Sequence, residues 1–176
     1  MSSSLIIYST VDGHTKSICE HIKNNFKSDE NIKIVSLDDM QDLNLSNFDK
    51  IIIGASIRYG RHRKKVLDFV KKNIDVLHFK KSAFFSVNVV ARKLEKSKAE
   101  TNPYVIKFLK KTKWKPDKVD VFAGKVDYPR YNFLNKQVIR FIMFITKGPT
   151  DITKTYEFTN WDNVKNFAKE INENFN

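Results

Sequence analysis

Leu5-Ile6-Ile7-Tyr8-Ser9-Thr10-Val11-Asp12-Gly13-His14-Thr15 is the stretch on which the fold turns. A short apolar run ends in hydroxyl-bearing and small residues, and Ile18, Cys19, Ile22 and Phe26 then recur at helical spacing. This reads as strand, loop, helix. The same grammar repeats downstream. Ile32, Ile34 and Val35 give a second strand, and Ile51-Ile52-Ile53 a third, whose unbroken branched residues suit a parallel strand buried on both faces. Val66, Phe69 and Val70 mark a helix, Ala83-Phe84-Phe85-Ser86-Val87 a fourth strand, and Tyr104, Val105, Phe108 and Leu109 another helix. Val119 to Gly124 reads as a fifth strand.

This alternation predicts an α/β fold, a doubly wound five-stranded parallel sheet with right-handed crossovers and helices on both faces. One region departs from the minimal pattern. An insertion of about residues 127–152 precedes strand-like Thr155-Tyr156-Glu157-Phe158 and a closing helix from Trp161 toward Phe175. It is expected to interrupt the last strand, with Lys154 to Phe158 as that strand's second half or as an added edge strand.

The chain has 176 residues, 41% of them hydrophobic, which fits a single domain over 1–176. Its single cysteine, Cys19, excludes an internal disulfide and a multi-cysteine metal cluster and is expected to be a small buried hydrophobe. No metal site is expected. A net charge of +12 will draw an acidic partner. The lysines are spread along the chain with no recognition-helix, zinc-finger or aromatic RNA-binding signature, so nucleic acid is not expected. Met1-Ser2-Ser3-Ser4-Leu5 has no basic region and no long apolar stretch, so no signal peptide is expected.

In an open parallel sheet, ligands bind beyond the carboxyl ends of the strands where the order reverses, here the loops after strands one, three and four. The first carries Ser9, Thr10, Val11, Asp12, Gly13, His14 and Thr15 before a helix, whose free N–H groups and dipole favour a phosphate. It lacks both G-x-G-x-x-G and G-x-x-x-x-G-K-S/T, so a monophosphate fits better than a dinucleotide or nucleoside triphosphate. The same residue types also simply cap helices. The second loop is Gly54-Ala55-Ser56-Ile57-Arg58-Tyr59-Gly60, where small residues admit a ligand and Tyr59 is placed to stack on a planar ring or to cover the sheet end. In the third, Asn88-Val89-Val90-Ala91-Arg92, amides and the Asn88 side chain are placed to meet the polar edge of an isoalloxazine. A phosphoacceptor regulator would need aspartates where Gly54-Ala55-Ser56 stands, and no G-x-S-x-G elbow supports Ser/His/Asp hydrolysis. Among the histidines only His14 falls near this site, as a candidate by position alone.

With these residues the chain resembles the flavodoxin superfamily and, more narrowly, the menaquinone-dependent protoporphyrinogen IX dehydrogenases of bacterial heme biosynthesis. The likeness runs through Ser9 to Thr15, Gly54 to Gly60, Phe85 to Lys93, Thr101-Asn102-Pro103-Tyr104, Tyr128-Pro129-Arg130-Tyr131 and Thr159-Asn160-Trp161. Ile57-Arg58-Tyr59-Gly60 and Val90-Ala91-Arg92-Lys93 are its specific parts, while Leu94 and Lys147-Gly148-Pro149 depart from the family pattern. The resemblance implies one FMN, oxidation of protoporphyrinogen IX to protoporphyrin IX, and electron delivery to menaquinone or another membrane quinone such as ubiquinone. Arg58, Arg92 or Arg130 would then pair with the two propionates, since arginine forks suit carboxylates. An NAD(P)H:quinone oxidoreductase or a flavodoxin-type electron carrier would use the same FMN loops.

Between Tyr131 and Lys147 lie Phe133, Leu134, Val138, Ile139, Phe141, Ile142, Met143, Phe144 and Ile145, with Lys136, Arg140 and Lys147 among them. This helical insertion, about 131–147, is shorter than the ~20 apolar residues a bilayer span needs. It is expected to lie on an anionic membrane surface, peripheral to the cytoplasmic side of a bacterial inner membrane, unless it packs on the protein's own core or on a second subunit of a homo-oligomer.

Overall fold

The computed structural model describes residues 2–27, 30–40 and 43–175, so Met1 and Asn176, the ends of the expected domain, lie outside the described residues. The main sheet contains β1 (Ser3–Ser9), β2 (Asn31–Ser36), β3 (Lys50–Arg58), the two-residue β4 (Arg61–His62), β5 (Lys81–Val87) and β6 (Lys118–Phe122). Its parallel order is β2-β1-β3-β5-β6, with β4 antiparallel on the end of β3. The five-stranded doubly wound expectation therefore holds, and the order reverses between β1 and β3.

Strand alternation explains both faces. Ile6, Ile52 and Phe85 point to one side, where α1 (His14–Asn24) and α6 (Trp161–Asn174) contribute Ile18, Ile22, Phe167 and Ile171. Leu5, Ile7, Ile51, Ile53 and Phe84 point to the other, against α2 (Lys64–Lys72), α3 (Ile74–Phe79) and α4 (Pro103–Thr112). Cys19 is fully buried in the first core, and burial raises its thiol pKa, as expected of a packing residue.

Two local devices differ from the sequence reading. Gly54 to Arg58 is not a loop but the continuation of β3, and Gly54 is small because a Cβ there would sit 2.1 Å from Phe85 Cζ. The chain reverses at Tyr59-Gly60, both at positive φ (49° and 75°), the geometry of a two-residue hairpin with a primed turn. The insertion also differs. After β6 the chain forms β7 (Lys125–Asp127), α5 (Phe133–Ile145) and β8 (Thr155–Glu157), and β8 pairs antiparallel with β7 alone. Residues 154–158 thus neither complete the last strand nor add an edge to the main sheet. They form a separate two-stranded ribbon.

Because the Gly54 Cα faces the Phe85 ring in a packed core, Gly54→Ala should lower unfolding free energy by about 1–3 kcal/mol, the usual cost of overpacking, as read by urea denaturation.

Candidate functional site

The first loop enters α1 through Gly13, left-handed at φ 86°, with no side-chain cap on the helix. Thr10 Oγ1 accepts from Gly13 N at 3.0 Å and tightens the turn. Thr15 is buried, and its Oγ1 has no hydrogen-bond partner. A cleft of about 590 Å³ lies over Thr10 to His14 and is also lined by Lys125, Asp127, Arg130 and Tyr131. Ser9 stands apart from this cradle: its hydroxyl accepts from Arg63 Nη1 at 3.3 Å. Arg130, a candidate propionate partner, lies at this end, beside the loop where a phosphate is expected.

His14 is a structural pin. Thr159 Oγ1 donates to the Ala123 carbonyl at 2.8 Å, which leaves its oxygen to accept from His14 Nε2 at 2.6 Å. The ring also meets Trp161 edge-on at 5.9 Å, and burial lowers the imidazole pKa. A neutral histidine donating from Nε2 holds the helix start against the β8–α6 connection.

Arg58 Nη1 donates to Asp12 Oδ2 at 2.8 Å, and its guanidinium lies 5.1 Å and 5.2 Å from the ring centroids of Tyr59 and Tyr131. The Tyr131 hydroxyl donates to the same Asp12 oxygen at 3.4 Å, and the Tyr59 hydroxyl donates to Asn135 Oδ1 on α5. Loop one, the hairpin and the insertion are thus knotted together by one charge pair and two phenols. Behind this knot a narrow fissure of about 50 Å³ separates Ser56, Ile57 and Arg58 from Asn88 and Val89. It shares Asp12, Ile57, Val89 and Lys125 with a space of about 120 Å³ beneath α5, where Val90, Val126, Ile139 and Met143 present apolar atoms.

Two expected roles in the third loop are corrected. Asn88 Oδ1 accepts from Ala91 N (3.1 Å) and Asn102 Nδ2 (3.2 Å), and its Nδ2 donates to Ser86 Oγ at 3.2 Å. Its side chain caps the turn within a buried network, and Ala91 is buried with it. Arg92 gives Nη1 to the Val89 carbonyl (2.9 Å) and Nη2 to the carbonyl and hydroxyl of Thr146 (2.8 and 3.1 Å). A cation on the last carbonyls of α5 is electrostatically favoured, so Arg92 is a strut between β5 and the insertion and not a free carboxylate fork. Lys125, Tyr131, Thr146 and Thr159 carry geometry that the sequence reading gave no role. Extending the switch-point logic one loop further, past Gly124, would have found Lys125.

A doubly wound sheet with an uncapped, hydroxyl-lined helix start at its switch point defines a class: residues 5–153 match the family model described as flavodoxin domain, and the chain belongs to that family. More narrowly, it is 43% identical over 169 residues to the protoporphyrinogen IX dehydrogenase (quinone) of Leishmania major, covering 95% of this chain and 73% of that one. The Escherichia coli K12 protein of the same name is 40% identical over 169 residues, covering 96% of this chain and 93% of its own. Among solved structures, a flavodoxin from the domain Archaea superposes with TM-score 0.54 at 13% identity, over 98% of each chain. A short-chain flavodoxin associated with a bacterial microcompartment gives TM-score 0.54 at 12% identity over 100% of each chain. These two structures bear on the fold alone.

Beneath the hairpin, His62 is buried between Phe84 and Phe108, its Nε2 3.0 Å from Ser86 Oγ, and burial lowers its pKa to about 3. An unfolded histidine takes a proton near pH ~6.5, whereas the folded one stays neutral until far lower pH. Stability is therefore lost as pH falls from about 6.5 toward 3, at up to ~1.4 kcal/mol per pH unit for this group. Denaturant titrations at pH 6.5 and 5.0 should show the wild type losing about 2 kcal/mol more than His62→Gln.

Proposed function

We propose that this chain oxidises protoporphyrinogen IX to protoporphyrin IX with FMN as its resident cofactor and menaquinone or ubiquinone as electron acceptor. The relatives' names support the reaction. The observation that carries the cofactor is the unpartnered, buried Thr15 hydroxyl at an uncapped helix start, lining the fissure together with Thr10 and Lys125. This donor set fits a monophosphate: hydroxyls of Thr10 and Thr15, amides of the Asp12-Gly13-His14 turn, and, from the adjoining cleft, Arg130 and Lys125, the latter 3.9 Å from Asp127. The isoalloxazine would lie between Ser56 to Gly60 and the Val89-Val90 backbone, spanning the fissure and the adjoining space beneath α5, which must widen to admit it. FMN, when bound, supplies the hydride acceptor for the porphyrinogen and the reductant for the quinone.

The chain's own residues supply placement. Ile57, Val89 and Val90 exclude water from the passage that joins the fissure to the space beneath α5. The Asp12–Arg58 pair fixes the first loop against the hairpin, and Tyr131 closes its outer side. His14, its imidazole pKa lowered by burial and its Nε2 bonded to Thr159, keeps the helix start in position.

The insertion carries the membrane reading. On α5 only Met143 is buried, while Phe133, Leu134, Phe141, Phe144 and Ile145 are each more than 60% exposed. No helix among the described residues is long and apolar enough to cross a membrane. An apolar ridge flanked by Lys136, Arg140 and Lys147 suits the surface of an anionic bilayer, with the protein peripheral on the cytoplasmic face of a bacterial inner membrane.

Three measurements check this. Anaerobic protoporphyrinogen IX should bleach the flavin of FMN-loaded protein and a menaquinone analogue should restore it; bleaching by NADPH alone would replace the reading with an NAD(P)H:quinone oxidoreductase. Thr15→Val should weaken FMN binding by about 10-fold or more, the worth of a hydrogen bond to a charged group, with apoprotein stability unchanged because the hydroxyl has no protein partner. Phe141→Asp with Phe144→Asp should abolish flotation on anionic vesicles while leaving flavin content intact. Unchanged flotation removes the membrane proposal, and a change confined to sedimentation mass assigns the ridge to a second copy of the chain.

A further inference from the structure

A cleft of about 780 Å³ lies between the β3–β4 hairpin and α4, with Tyr59, Tyr104 and Phe108 in its walls. Its charged lining is entirely Lys and Arg, with no Asp or Glu. Four of these cations already hold carboxylates: Arg58 pairs with Asp12, Arg63 and Lys65 with Asp38, and Lys64 with Asp68. Arg61 on the hairpin and Lys107 and Lys111 on α4 have no carboxylate partner among the described residues. Lys107 and Lys111 are four apart on one helix, a spacing at which like charges repel. A concave wall carrying uncompensated charge of one sign focuses its field on a counter-charge in the cleft.

The cleft is not isolated. Arg58, Tyr59, Gly60 and Tyr104 line both it and the apolar space beneath α5, which in turn shares Ile57 and Val89 with the fissure at the switch point. Tyr59 stands at this junction in a left-handed backbone conformation that a tyrosine seldom adopts, with its phenol held by Asn135. Outward from the switch point, Val90, Ile139 and Met143 stand beside the Asp12–Arg58 pair and Lys125, Tyr59 and Tyr104 follow, and the wall beyond them is strongly cationic.

We propose that the cleft is the carboxylate half of the substrate site, where Arg61, Lys107 and Lys111 receive the two propionates of the tetrapyrrole while its apolar edge lies beneath α5. This rests on the porphyrinogen reading above. A protoporphyrinogen ring carries both acids along one edge and apolar substituents along the opposite one, and the order of environments matches that polarity. The same cations would also suit an anionic lipid headgroup. Continuity with the switch point favours the substrate, because a headgroup has no reason to reach the redox end of the molecule.

The test uses FMN-loaded protein in lipid-free detergent, with protoporphyrinogen IX and its dimethyl ester as paired substrates. For Arg61→Ala, and for Lys107→Ala with Lys111→Ala, the ratio of kcat/KM for the diacid over the diester should fall about 10-fold or more, as expected when charge-assisted bonds to carboxylates are lost. Lys107→Arg with Lys111→Arg should keep the wild-type ratio. An unchanged ratio in the alanine variants overturns the proposal, as does loss of flotation on anionic vesicles without loss of diacid preference, which would make the cleft a headgroup site. Equilibrium binding of the product, protoporphyrin IX, followed by its fluorescence, separates the two levels of inference. If the wild type turns over neither porphyrinogen, the reaction assignment fails, and weaker protoporphyrin IX binding by the alanine variants still decides whether the cleft holds carboxylates.

Discussion

Everything in this molecule follows from strands that are apolar on both faces. Leu5-Ile6-Ile7, Ile51-Ile52-Ile53 and Phe84-Phe85 cannot leave either side in water, so helices must cover both, and every strand must be regained by a crossover of the same hand. Parallel pairing then brings the carboxyl ends of all five strands to one edge. Loops that are distant in sequence meet there without any attraction of their own: Asp12 finds Arg58, and His14 finds Thr159.

The insertion is fastened to that edge by polar contacts more than by core. Arg92 reaches Thr146, Tyr59 reaches Asn135 and Tyr131 reaches Asp12, while within the insertion the Tyr128 hydroxyl donates to the Pro149 carbonyl at 3.0 Å. Its apolar interior is small, centred on Val126, Tyr128 and Met143. The last turn of α5 closes with Lys147 at φ 54° and Gly148 N donating to Met143 O at 2.7 Å, and a Cβ on Gly148 would lie 2.4 Å from Met143 Cε. That glycine lets the chain turn back under Arg92.

The fold was legible because its signal is repetitive: five apolar runs separated by helical periodicity leave little choice of topology. The strand–loop–helix form of the first loop was legible as well, since hydroxyls and a glycine between an apolar run and a helical period mark a helix start. What the sequence could not disclose is where a polar side chain spends its hydrogen bonds. Asn88 and Arg92 look like ligand contacts by position, yet one is absorbed by Asn102 and Ser86 and the other by Thr146, a residue 54 positions away. Gly54 looks like room for a ligand and is room for Phe85. The pairing of Lys125–Asp127 with Thr155–Glu157 was hidden because three-residue strands carry almost no periodicity, and the intervening helix separates partners that adjacency rules would have joined.

That small ribbon has a consequence of its own. Asp127 and Thr155 are register partners, so the insertion leaves the body and returns to it at neighbouring points, like a module plugged into a two-pin socket. The closing helix α6 packs on α1 and the sheet whatever lies between those points. Mutational drift in the plugged segment is thereby insulated from the folding of the sheet. A lineage can reshape the outer ridge while inheriting the redox chassis unchanged, since neither sheet core draws a residue from it.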